Sequence, residues 1–263
     1  MTESKVAVVT GASRGIGAAV AVALARRGIT VYGISRSGTA PEGVTPLTAD
    51  VASREALCAA VDTVIAREGR CDLAVLAAGI GVAGATEHIP EEEAARQIAV
   101  NLLGVDNALA VLTPALRESR GRVLAIGSVA GVFPIPFPAH YSASKAAVEA
   151  LVRAYAGEVR PLGIRAAVAL LGDTSTGFTD ARRTFPEGDE QYGGRLLGSI
   201  RKMERDERGG ASPERVADVL VRRLLGRRLP LRFTVGGGYR LLVLLDRLLP
   251  TALVDRIVGG MYK

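Results

Sequence analysis

The sequence predicts an α/β fold, a doubly wound parallel sheet with flanking helices, and three observations predict it. Short β-branched runs alternate with longer helical patterns along most of the chain. The run from Arg122 to Ser128 reads as a strand buried on both faces. A glycine-rich turn joins the first strand-like run to the first helical pattern.

Taken in order, Lys5 to Val9 is the first strand, Ala18 to Arg27 the first helix, and Ile29 to Ser35 the second strand. A helix at Arg54 to Arg67, a strand at Asp72 to Ala77, a helix near Glu91 to Leu116 and the strand ending at Ser128 continue the rhythm. A proline-rich loop from Val132 to His140 then precedes a helix at Tyr141 to Val159 and an apolar strand at Ile164 to Leu171.

Residues 173–211 lose periodicity and gain Gly, Pro and charge, which predicts a substrate-side lid inserted after a strand's carboxyl end. Ser212 and Pro213 are an N-cap and a first helical residue, opening a helix that runs to Leu225 before a strand ending at Val235. Residues 239–263 form an apolar, helical C-terminal extension. No linker or repeat is visible, so 1–263 is expected to be one domain.

With 48% hydrophobic residues and a mean hydropathy of +0.24, the chain has ample apolar surface for a core. Its charge of +6 raises a polyanionic partner, but only 4% of residues are aromatic and the arginines are scattered among acids. No nucleic-acid partner is expected. Cys58 and Cys71, with His88 and His140, make no metal-ligand spacing, so no metal is expected. The N-terminus has no secretory or transit pattern, so a cytoplasmic location is expected.

The first strand runs directly into Thr10-Gly11-Ala12-Ser13-Arg14-Gly15-Ile16-Gly17. Glycines there let backbone approach a pyrophosphate, and the helix N-terminus offers N–H groups and a positive dipole end. The second strand ends in Ile34-Ser35-Arg36, without the acid that would bind a ribose diol. Arg36, Arg14 and Ser13 instead suit a 2′-phosphate, which points to NADP(H).

Tyr141 and Lys145 stand at i and i+4, on one helix face. Lys145 and a cationic nicotinamide are expected to favour the phenolate and lower the Tyr141 pKa, yielding an acid/base. Ser128, thirteen positions earlier, can hold a substrate oxygen that gains charge.

These residues resemble the short-chain dehydrogenase/reductase family, whose TGxxxGxG loop is matched at Thr10, Gly11, Gly15 and Gly17. The resemblance implies a Rossmann-type fold and an Asn-Ser-Tyr-Lys tetrad of Asn101, Ser128, Tyr141 and Lys145. In it Asn101 positions a water in a proton relay from Lys145. It also implies cofactor contacts at Asp50 and Val51, at Ala78 and Gly79, and at Thr174 and Thr176. Two departures stand out. Ala77 replaces an asparagine that helps fix the central sheet, and Leu171-Gly172 replaces Pro-Gly.

The lid and the apolar Val132 to Phe137 loop favour a hydrophobic or amphipathic carbonyl or alcohol substrate. The longest C-terminal apolar run, Leu241 to Leu245, is far short of the roughly 20 residues that span a bilayer. That segment covers the pocket, buries at a subunit interface or lies on a membrane surface, with the first two ranked ahead. The family resemblance implies a homodimer or homotetramer. Three function classes stay open: a ketoreductase or alcohol dehydrogenase, a non-net-redox enzyme of the same fold, and a silent NADP(H)-binding regulator.

Overall fold

The computed structural model describes residues 4–246 and 248–262. The fully buried strand β1 (Val6–Thr10) leads into helix α1 (Gly15–Ala25), followed by β2 (Thr30–Ser35), β3 (Thr45–Thr48), α2 (Arg54–Glu68) and β4 (Leu73–Leu76). Next come β5 (Val82–Gly84), α3 (Glu91–Ile98), a π-helical turn at Ala99–Leu103, α4 (Gly104–Ser119) and β6 (Arg122–Ser128). The chain continues through α5 (Ala139–Val159), β7 (Arg165–Leu171), β8 (Arg183–Phe185), α6 (Arg195–Arg208) and α7 (Pro213–Leu225). It closes with β9 (Arg232–Val235), α8 (Gly237–Asp246) and α9 (Thr251–Met261).

Seven strands form one parallel sheet in the order β3-β2-β1-β4-β6-β7-β9. After β3 at one edge the chain returns to the far side of β1, so the strand order reverses between β1 and β4. A crevice opens there beyond the carboxyl ends of the strands. Thr10 is level with Leu76, and Leu76 with Ala125. Strand β6 therefore runs on to Ser128, paired with Leu171 of β7, and carries Ser128 out over the crevice.

Each face of the sheet carries its own core. Leu57 and Val61 of α2, Leu109 and Leu112 of α4, and Val148 and Val152 of α5 pack on one side. Val20 and Leu24 of α1 and Leu220 and Leu224 of α7 pack on the other. Ser212 caps α7 as expected, its hydroxyl accepting the Arg215 N–H at 3.4 Å.

The lid region is more ordered than its composition predicts. Residues 173–211 contain β8, which pairs with β5, and the fourteen-residue helix α6. Leu196, Ser199, Ile200 and Met203 bury one α6 stripe against Ala83 and Ala85. The long helix expected near Glu91 to Leu116 is divided by the π turn that contains Asn101. Helices α1 and α5 start earlier than expected, at Gly15 and Ala139.

Candidate active site

The crevice is a cleft of about 900 Å³. Ser13, Arg14, Gly15, Ile16, Gly17 and Gly11 line one part of it, with Arg36, Asp50, Val51, Ala78 and Gly79. Ser128, Tyr141, Lys145, Thr174 and Thr176 line another. Asn101 alone among the expected residues does not line the cleft.

The glycine turn is built to the limit of closeness. A Cβ on Gly17 would stand 2.3 Å from the Gly11 carbonyl oxygen, and one on Gly11, at φ +67, would stand 2.7 Å from the Ala78 Cα. Arg14 is the N-cap of α1, and its side chain makes no cap hydrogen bond. The first-turn N–H groups of α1 thus remain for an anion, which fits a dinucleotide pyrophosphate. Arg14 and Arg36 are exposed, and among the described residues neither forms an ion pair. Asp50 begins the turn into α2, with its Oδ1 accepting the Ala52 N–H at 2.9 Å.

Thr10 braces the backbone at the position of the lost asparagine. Its Oγ1 accepts the N–H groups of both Ala77, at 3.1 Å, and Ala78, at 3.3 Å, tying β1 to the chain just beyond β4. At Leu171-Gly172 the glycine that is kept from the Pro-Gly pair is tightly packed. Gly172 packs so closely against Tyr239 of α8 that a Cβ there would lie 2.1 Å from the ring. Thr174 donates to the Gly172 carbonyl at 3.2 Å, and the Thr176 side chain lies beside Gly15, closing the lid's base over the glycine turn.

Helix α5 places Tyr141 and Lys145 together. The Lys145 Nζ lies 5.8 Å from the Tyr141 ring centroid and donates to the Ile126 carbonyl at 2.9 Å. Burial pulls the Lys145 ammonium down to about 8. The sequence-based expectation of a lowered Tyr141 is not met by the chain alone. Burial pushes the phenol up to about 12, outweighing its hydrogen bond with Ser128, with Glu207 and Asp173 raising it further and Arg182 opposing them. The site holds a phenol and an easily deprotonated ammonium.

Asn101 is fully buried. Its Nδ2 donates to the Ile80 carbonyl at 3.0 Å and to Ser144 Oγ at 3.1 Å, and its Oδ1 accepts the Ile80 N–H at 2.8 Å. Its amide is engaged by protein groups, so the side chain positions the loop beside Gly79 and does not face the cleft. A Cβ on Gly79 would lie 3.4 Å from Asn101 Oδ1 and 3.7 Å from Lys145 Nζ, so that glycine keeps the two groups close.

Sequence reasoning missed the polar groups of the lid. Phe178 packs 5.8 Å from the Tyr141 ring, with the Arg182 guanidinium 5.9 Å from the Phe178 centroid. Arg182 is ion-paired with Glu207, which also accepts from Thr179 Oγ1 at 2.6 Å. Tyr239 donates to Asp173, whose carboxyl burial nevertheless raises. No local pattern announces these pairs, since their partners are far apart in sequence. Beyond them, Leu242, Leu245, Leu249 and Val258 of the C-terminal segment line the cleft, while Leu241, Leu244 and Leu248 face outward.

The arrangement can hold a dinucleotide on one side of the crevice and an oxygen substituent between Ser128 and Tyr141 on the other. Residues 5–187 match the short chain dehydrogenase family model. The chain is 35% identical over 238 residues to a 3-ketodihydrosphingosine reductase of Bacteroides thetaiotaomicron, covering 89% of this chain and 88% of that protein. A short-chain dehydrogenase from Streptomyces avermitilis superposes with a TM-score of 0.83 at 29% identity, covering 94% of this chain and 93% of the other. An alcohol dehydrogenase from Thermococcus sibiricus, solved with 5-hydroxy-NADP, gives a TM-score of 0.71 at 28% identity, covering 90% and 98%. The chain belongs to the short-chain dehydrogenase/reductase family of oxidoreductases.

Proposed function

We propose that the chain is an NADPH-dependent ketoreductase acting on a hydrophobic or amphipathic ketone, and 3-ketodihydrosphingosine, named for the Bacteroides relative, is a candidate substrate. The observation that carries this reading is the convergence of Ser128, Tyr141 and Lys145 on the cleft that the glycine turn also lines. The nicotinamide, when bound, supplies the hydride.

The chain's own residues hold the rest. Ser128 and Tyr141 hold the ketone oxygen, and Tyr141, kept as a phenol by burial, delivers a proton as that oxygen gains charge. Lys145, close behind the ring, returns the proton to Tyr141. Gly11, Gly15, Gly17 and the start of α1 hold the pyrophosphate, and Asp50, Val51, Ala78 and Gly79 border the adenosine side. Thr174 and Thr176 border the nicotinamide side. Preference for the phosphorylated dinucleotide rests on Arg14, Ser13 and Arg36, with no acid at the end of β2.

The test is absorbance of reduced nicotinamide with purified chain, NADPH or NADH, 3-ketodihydrosphingosine and a panel of hydrophobic ketones. Ketone-dependent loss of NADPH, reduced by about 10²- to 10⁴-fold in Tyr141→Phe while NADPH still binds, is the expected result. NADPH binding without consumption by any ketone would overturn it.

A further inference from the structure

Arg182 is a buried cation on the substrate side of the cleft that the reduction itself does not use. Its side chain is 5% exposed, and it lines the cleft next to Phe178, which in turn packs on Tyr141. Glu207 takes one end of the guanidinium, while the buried Nη1 makes no hydrogen bond within the described residues. A buried donor left unpaired is costly, and native structures supply such groups with acceptors. Glu207, itself held by Thr179, fixes the guanidinium in place, and Gly81 leaves room for the Phe178 ring beside it, since a Cβ there would lie 3.0 Å from the Phe178 Cζ.

The neighbouring charges select the kind of acceptor. Arg182 is already balanced by Glu207, Asp206 by Lys202 at 2.7 Å, and Asp173 adds a carboxyl that is held by Tyr239. All three acids line the cleft. A carboxylate or phosphate on the substrate would enter against them, whereas a neutral oxygen would not. Away from this polar end, the cleft is lined by Leu242, Leu245 and Val258.

We infer that Arg182 recognises a hydroxyl carried by the substrate a few bonds from its ketone, with Nη1 donating to that oxygen and the apolar tail lying toward the C-terminal helices. This rests on the ketoreductase reading and narrows its substrate class to hydroxyketones that carry no acidic group and have one long apolar arm. Arg182 acts on specificity, and the proton still comes from Tyr141.

The experiment compares 1-hydroxy-2-decanone, 2-decanone and 2-oxodecanoate with NADPH on the full chain, on Arg182→Met and on the double variant Arg182→Met/Glu207→Gln, which leaves no unpaired buried charge. The expected result is a preference of about tenfold in kcat/KM for the hydroxyketone over the plain ketone, the scale of one buried hydrogen bond. Both variants should shrink that ratio to about twofold or less through a higher KM for the hydroxyketone. No preference in the unmodified chain, a ratio unmoved by the variants, or a preference for 2-oxodecanoate would each overturn the inference.

Calorimetric titration with 1,2-decanediol and 2-decanol reads binding without turnover. Tighter diol binding that depends on Arg182, with no NADPH consumed by any ketone, would keep the inference and remove the reductase reading. Equal binding of the two alcohols would overturn the inference alone.

Discussion

Asn101 holds both backbone polar groups of Ile80, accepting its N–H at 2.8 Å and donating to its carbonyl at 3.0 Å. The clamp fixes the loop after β4, which carries Gly79 past Lys145. Asn101→Ala should therefore lower stability by about 2–3 kcal/mol, because buried backbone groups lose their partners. It should also lower kcat more than it raises KM, since substrate does not touch Asn101. Urea unfolding and steady-state kinetics check both, and a variant with unchanged kcat would show that the clamp is structural only.

The buried ammonium of Lys145 makes stability depend on pH. Its folded value is lowered from 10.5 to about 8, so between those values the unfolded chain binds more protons and stability rises with pH. Below about 8 both states are charged and the full penalty stands. In Lys145→Met the penalty is gone. The stability difference between the unmodified chain and this variant should shift by about 3 kcal/mol between pH 7 and pH 10.5, in favour of the unmodified chain as pH rises. The other tyrosines titrate alike in both chains and cancel in the difference, and folded Tyr141, pushed up to about 12, stays largely a phenol over this range.

The same two groups set the pH dependence of reduction. Tyr141, pushed up to about 12, stays a phenol through the working range, so the proton donor itself does not titrate away. Lys145, near 8, does. The kcat/KM for ketone reduction at saturating NADPH should be flat at neutral pH and fall tenfold per pH unit above about 8. A profile flat to pH 10 would separate Lys145 from proton delivery.

What could be read in the sequence and what could not divides along range. The alternation of strands and helices, the glycine turn, and the i, i+4 placement of Tyr141 and Lys145 are local patterns, and the structure reproduces them. The direction of the Tyr141 shift was not legible, because it depends on burial by the lid and on Glu207, which is remote in sequence. Helix α6 was hidden because Gly193 and Gly194 precede it and its buried stripe has only three apolar residues, Leu196, Ile200 and Met203, with Ser199 among them. Arg182 with Glu207, and Asp173 with Tyr239, pair across 25 and 66 positions, beyond the reach of any periodicity.

Cofactor choice rests on a residue that was legible. Arg36 is exposed at the end of β2, where no acid is present to take a ribose diol. Arg36→Asp should reverse the preference, raising the KM for NADPH by about tenfold or more while lowering that for NADH, as the removal of one phosphate partner implies. Competition between the two dinucleotides in binding measures this without any ketone. An unchanged ratio would remove Arg36 from the phosphate site.

The Ala77 departure yields the last prediction. At that position, where an asparagine would help fix the sheet, the backbone is held by Thr10, a residue 2% exposed whose hydroxyl oxygen accepts the N–H groups of Ala77 and Ala78. Thr10→Val keeps the shape of the side chain and deletes the acceptor, leaving two backbone donors unpaired beside the glycine turn. Stability should fall by about 1–3 kcal/mol. The Ala78 backbone lies against Gly11, so loss of the tie should also loosen the pyrophosphate cradle and weaken NADPH binding. Replacing Ala77 by Asn in the Thr10→Val background should recover part of both losses. No recovery would mean that Thr10 braces the sheet in a way the asparagine cannot, and an unaltered Thr10→Val chain would show that the tie carries no weight.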